Sequence, residues 1–159
     1  MSKQGHGSLY ETAIGFLTFL NDDEINLDDN LNKLNMFLDE ISFAYHSTPD
    51  VKGETFADTQ KQNYTAIRSL VIRHFPELGL YNLPQAITDH IGQTDIVVGD
   101  AVDDLTDIVC DLSGVIWCFE HTDENDALWH LRFGYQHHWG KHLRTLQLYL
   151  YSLQFETGM

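Results

Sequence analysis

Positive charge is scarce in this chain. Nine lysines and arginines face 24 aspartates and glutamates, for a formal net charge of −15. Such a surface repels phosphate backbones and anionic lipid, so nucleic acid and membranes are not expected as partners. A basic protein or a metal cation would be attracted instead. Long apolar runs are also missing. The best candidates, AIGFLTFL (13–20) and LQLYLYSL (146–153), carry polar interruptions and fall well short of the ~20 residues that span a bilayer. The opening MSKQGHGSLYE lacks the basic start, apolar middle and small-residue cleavage site of a secretion signal, which points to the cytoplasm. Only two cysteines occur, Cys110 and Cys118. Read on one helix they stand roughly 12 Å apart, too far for a disulfide, so both are expected as buried thiols.

Prolines number three, at 49, 76 and 84. They fall between periodic segments, as breakers do. Hydrophobic residues make up 43% and aromatics 12% of 159 residues, enough for one packed core. The expectation is a single domain over 1–159 with a flexible start. No repeat, low-complexity tract or linker interrupts it.

Hydrophobic spacing predicts helices and no strand. The first runs from about Ser8, an N-cap with Glu11 three residues on, to Leu20. The second starts after a cap at Asp28 and runs to about His46, with Leu31, Leu34, Leu38, Ile41 and Tyr45 on one face. The third covers about Ala57 to His74, with Tyr64, Ile67, Val71 and Phe75 inward. PELGLYNLPQ reads as irregular, with at most a short helical turn after Pro84. The fourth spans about Asp95 to Phe119, and the fifth about Asn125 to Gln154. Long helices joined by short loops imply an all-α antiparallel bundle of five or six helices.

The fourth helix carries two stripes. Val98, Ala101, Val102, Leu105, Ile108, Val109, Leu112 and Ile116 form the apolar one. Asp100, Asp104, Asp107 and Asp111 form the other, with Asp103 beside it. The plain reading is a solvated face. Yet no lysine or arginine alternates with these aspartates, and aspartate is a poor helix former. Either a neighbouring helix or a bound ion would compensate them.

The fifth helix answers with FGYQHHWGKH (133–142). On a helical wheel Leu128, Leu131, Tyr135, Trp139, Leu146 and Leu153 cluster, with His142 among them and His138 at the edge. His130 and His137 point toward water. His138 and His142 stand four apart, the spacing that presents two imidazoles together. Folding this helix back about residue 122 brings His138 level with Asp107 and His142 level with Asp103. Three readings stay open. The histidines close an interhelical hydrogen-bond network with Asp100, Asp104, Arg132, Trp129 and Trp139. Or His138, His142, Asp103 and Asp107 hold a divalent ion, for which imidazole and carboxylate suit zinc, manganese, iron or nickel. Or one histidine is a general base held by an aspartate, although no nucleophile stands near. Gly134 and Gly140 inside one helix suggest a close backbone approach or room for a ligand. Trp129 and Phe133 would pack under PELGLYNLP. The apolar tail Leu148, Tyr149, Leu150, Tyr151 and Phe155 covers more than one face and implies a homodimer, or burial against the first helix.

FPELGLYN (75–82), VVGDAVDDLTDIVCDL (97–112) and ALWHLRFGYQHHWGKH (127–142) together resemble a bacterial all-helical family known as domain of unknown function 5063. The matching positions are Asp100, Asp103, Asp104, Asp107, Trp129, Arg132, His138, Trp139, Gly140 and His142. The resemblance implies a helical fold in a bacterial intracellular protein and assigns no activity, substrate or cofactor. Two functions follow from the residues. One is a non-catalytic interaction or scaffold protein whose Asp/His/Arg cluster is structural. The other is a metal-dependent hydrolase-like enzyme with its site between the last two helices.

Overall fold

The computed structural model describes residues 4–52 and 59–156, with side chains from Leu9 onward. The expected flexible start at residues 1–3 and the expected Ala57 helix start lie outside the described residues. The elements are α1 (Gln4–Leu20), α2 (Asn30–Ser47), α3 (Tyr64–His74), β1 (Leu80–Pro84), β2 (Ile96–Asp100), α4 (Ala101–His121), α5 (Glu124–Gly134), a π-helical turn (Tyr135–Trp139) and α6 (Gly140–Phe155). The fold is a helical bundle with one small hairpin. The last three segments run as one rod, so the bundle has five rods among the described residues.

α4 is the central element. It packs against α1, α3, α5 and α6. Ala101, Leu105, Ile108, Val109, Leu112, Val115 and Cys118 are buried along it. Phe16 joins it to the other side of the core, stacking on Phe37 at 3.7 Å between ring centroids and on Phe75 at 6.2 Å. Leu34, Leu38, Ile41, Val71, Leu131, Leu143 and Leu146 complete the same cluster. Burial of these aliphatic and aromatic side chains is the main stabilising term, at about 1.5–3 kcal/mol for each large one.

Several helix ends differ from the sequence expectation. α1 begins at Gln4, so Ser8 lies within it. α2 starts one residue later than the Asp28 cap implied: Asp29 takes a left-handed conformation, φ 59°, and Asp28 instead donates its N–H to Asn26 Oδ1. α3 starts at Tyr64, where Asn63 accepts from the Ala66 N–H.

The larger correction is the hairpin. β1 and β2 pair antiparallel, with Tyr81 opposite Gly99 and Leu83 opposite Val97. Residues 95–100 are therefore not helical. Ile96, Val97 and Val98 are β-branched, which suits a pleated strand, and Val98 is exposed rather than part of a core stripe. Asp100 ends the strand and caps α4, accepting from the N–H groups of Val102 and Asp103. The segment 76–84 does not cover Trp129 and Phe133. It lies on α6 instead, where Tyr149 Oη accepts from the Gly79 N–H at 2.9 Å. Trp129 stacks on Phe133 along α5, at 4.8 Å.

Candidate metal centre

The rod α5–π–α6 lies antiparallel beside α4, and the π turn decides which of its residues face the aspartates. Gly140 N–H donates to Tyr135 O, the wide-turn bond that inserts an extra residue. A Cβ on Gly140 would stand 2.3 Å from that same oxygen, so only glycine fits there. Trp139 is fully buried, its indole N–H folded back onto Leu131 O at 3.2 Å. With Trp139 turned into the core, His138 and His142 project toward α4.

His142 Nδ1 donates to Asp104 Oδ1 at 2.6 Å, and its Nε2 stands 3.3 Å from Asp107 Oδ2. His138 Nδ1 donates to Asp111 Oδ2 at 2.6 Å, and its Nε2 is 3.9 Å from the same Asp107 oxygen. The two imidazole rings meet edge to face at 4.9 Å. One ligand atom each from Asp107, His138 and His142 lie within 4.8 Å of one another. The carboxylates behind them are held in turn. Tyr81 Oη donates to Asp104 Oδ2 at 2.5 Å. Tyr64 Oη donates to Asp103, and Arg68 pairs with Asp100 at 3.3 Å.

Electrostatics follow from this crowding. The Asp104 hydrogen bond, aided by the Asp104, Asp107 and Asp103 charges, raises the His142 pKa against the opposing effect of burial. Burial raises the Asp107 pKa, and Asp103 adds to it, while the two histidines act against the rise. Burial and then the Asp103 hydrogen bond push the Tyr64 phenol up to about 12. Tyr81 is raised too, chiefly by burial. Burial between Asp107 and Asp111 pushes the Cys110 thiol up to about 11, so it stays protonated and unreactive at neutral pH. Asp104 is buried, and Asp100, Asp103, Asp107 and Asp111 are half-buried; the acidic stripe is not a solvated face.

His138 does come level with Asp107, at 3.9 Å, but the close bonds fall elsewhere: His138 meets Asp111, and His142 meets Asp104 and Asp107 rather than Asp103. Side chains lean toward the N-terminus of their own helix, so the histidines reach toward the α4–α5 turn and the aspartates away from it. Asp103 lies a step round α4 and serves Tyr64. Arg132 is not in the cluster: it donates to Thr48 O at 3.0 Å, stands 3.6 Å from Asp50, and lies over the Tyr45 ring. Trp139 gives its indole N–H to Leu131 O, and Trp129 stacks on Phe133 along α5. Asp111 belongs to the expected aspartate stripe but not to the expected ligand set. Tyr64, expected inward, lies at the surface and bonds Asp103, and Tyr81 carries no local signal. His137 is exposed, stacked on Phe133 at 4.2 Å. His130 is half-buried, edge-on to Trp129.

A cavity of about 470 Å³ opens beside His138, walled by Tyr64, Cys110, Asp111 and His130. His138 is about half exposed, whereas Asp107 and His142 are more deeply set. Of the three groups, His138 is the one that lines this cavity.

A family model described as a domain of unknown function, DUF5063, matches residues 15–156. A solved structure, the crystal structure of protein BF1032 from Bacteroides fragilis, is similar with a TM-score of 0.75 over 96% of this chain and 94% of that one, at 16% identity. That likeness concerns the fold. No curated protein matches the chain.

Proposed function

The chain belongs to the DUF5063 family, and we propose that its member described here is a metal-binding protein holding one divalent transition ion on His138 Nε2, His142 Nε2 and Asp107 Oδ2. The observation that carries this reading is the orientation of the two rings. Each Nδ1–H is committed to its own carboxylate, Asp111 or Asp104, at 2.6 Å. That fixes the tautomer and turns both Nε2 lone pairs toward one carboxylate oxygen. Histidine ligands are held by outer carboxylates in this way. A tetrahedral ion with bonds near 2.0–2.2 Å needs ligand atoms about 3.2–3.6 Å apart; the two from Asp107 are 3.3 and 3.9 Å and all three atoms lie within 4.8 Å, so an ion would draw the two histidines closer together. The unbalanced negative charge of Asp103, Asp104, Asp107 and Asp111 adds attraction for a cation.

Zinc, iron(II), manganese and nickel fit a donor set of two imidazoles and a carboxylate. A bound ion would supply Lewis acidity beside His138, and this makes hydrolytic chemistry the enzymatic version of the proposal. In that version Asp104 and Asp111 orient the ligands, and Tyr81 holds Asp104. A cytoplasmic setting fits the composition, and no helix among the described residues is long and apolar enough to cross a membrane.

A second reading rests on a different observation. His142 has a carboxylate at both ring nitrogens, the arrangement of an imidazolium that ties α6 to α4. The site is then a structural network in a non-catalytic interaction protein. Metal analysis separates the two. Tag-free protein purified without chelator is expected to carry about one ion per chain, lost in His138→Ala and His142→Ala, and to melt higher when loaded. Metal below about a tenth per chain, with no thermal shift on adding salts of the four ions, rejects the metal reading in favour of the network.

A further inference from the structure

The hairpin and α6 enclose a second cavity, of about 780 Å³, on the other side of Tyr81 from Asp104. Its walls include Tyr81, Leu83, Leu148 and Tyr149, and the π turn contributes Tyr135. No aspartate or glutamate lines it, in a chain that carries 24 of them. Two of its lining residues are cations, Lys141 and Arg144, three apart on the exposed side of α6 and so on neighbouring turns.

Arg68, Arg73 and Arg132 each pair with an aspartate. Arg144 is the one arginine without a carboxylate partner among the described residues; its guanidinium donates to Tyr135 Oη at 3.1 Å and Gln147 Oε1 at 3.3 Å and stands 3.3 Å from His46 Nε2. The Lys141 side chain has no ion-pair or hydrogen-bond partner among the described residues. A guanidinium keeps donors to spare after such contacts, and an ammonium has three. The volume falls in the usual range of small-molecule sites, which combine an apolar wall with a few placed polar groups.

We propose that this cavity binds an anionic amphiphilic small molecule, with its carboxylate or phosphate head on Lys141 and Arg144 and its apolar body against Tyr81, Leu83 and Leu148. The net charge of the protein repels anions elsewhere, so the acid-free groove is where one is admitted. The site is separate from the ion site and does not depend on it.

The test uses the full chain and 8-anilinonaphthalene-1-sulfonate, an anionic aromatic whose fluorescence reports transfer to an apolar site. Saturable binding is expected at one site. Dodecanoate and dodecyl phosphate, each below its micelle concentration, are expected to displace the dye, and whichever does so more tightly identifies the head group. Dodecyltrimethylammonium is expected not to compete. The double variant Lys141→Gln/Arg144→Gln should lose about tenfold or more in affinity for dye and competitor. Leu148→Glu, on the apolar wall, should lose binding as well. All three positions are exposed, so unchanged circular dichroism and melting temperature are expected to accompany the loss. Undiminished dye affinity in both variants overturns the proposal, as does equal displacement by the cationic amphiphile. So does a scattering mass that doubles with concentration, reverts in Leu148→Glu and blocks dye binding, because a second copy then fills the groove.

Discussion

Lys141 and His142 are adjacent in the sequence and meet opposite surroundings. The His142 ring lies between two carboxylates of α4. Lys141 faces a groove from which acids are absent. The net charge of −15 therefore does not describe the groove side of α6. Helical geometry sorts the residues, with neighbours pointing about 100° apart, and the π turn sets the phase. One side meets carboxylates, and the other presents Lys141 and Arg144 to a groove without them.

The comparison breaks most sharply at Asp104. It is buried, accepts from both His142 and Tyr81, and has no counterpart on the groove side. Asp104→Ala strips the partly buried His142 ring and the Tyr81 hydroxyl of their shared partner and should cost about 3 kcal/mol in a denaturant titration. His142→Ala comes next, at about 1–3 kcal/mol, since it leaves Asp104 with one partner fewer. His137→Ala, on the exposed side of the same rod, should change stability by less than about 0.5 kcal/mol. A similar cost at both histidines would mean that the side facing α4 is not special.

The smallest effect carries a sign. The folded pKa of His142 is raised above its ordinary value. In metal-free protein its contribution is fully present below the unfolded pKa of about 6.5 and is lost as pH rises through the folded value. Stability of metal-free protein should therefore fall from pH 6 toward pH 8, by about 1 kcal/mol or less at this partly exposed group. Protein loaded with zinc should behave oppositely, because ligand protons compete with the ion and are removed as pH rises. Melting temperatures of both forms across this range check the pair of slopes.

The helices were legible because each buries a stripe at three- and four-residue spacing, and the four-residue aspartate row and the His138/His142 pair were visible for the same reason. The hairpin was not. Ile96, Val97 and Val98 run straight into the stripe of α4, and a short apolar run has the same appearance in either conformation. Pro84, read as a breaker between helices, stands at the end of β1, where a missing N–H is tolerated. The π turn leaves no local signature. Gly140 gave a hint of close approach, but not of which atom approaches; that atom proved to be the carbonyl oxygen of Tyr135. The partner choice of each histidine depended on this turn and on side-chain lean, neither of which spacing alone encodes. Tyr81 was out of reach for a different cause. Its ring lies over Gly99 across the hairpin, where a Cβ would come within 2.4 Å of it, so its link to Asp104 exists only once the strands pair.

Asp100 is at once the last residue of β2 and the cap of α4, with no loop between. The hairpin is thus a lever whose fulcrum is the first turn of that helix. Tyr81, partway along the arm, gives its hydroxyl to Asp104 one turn past the pivot, so the hairpin and the first turn of α4 are clasped at two points.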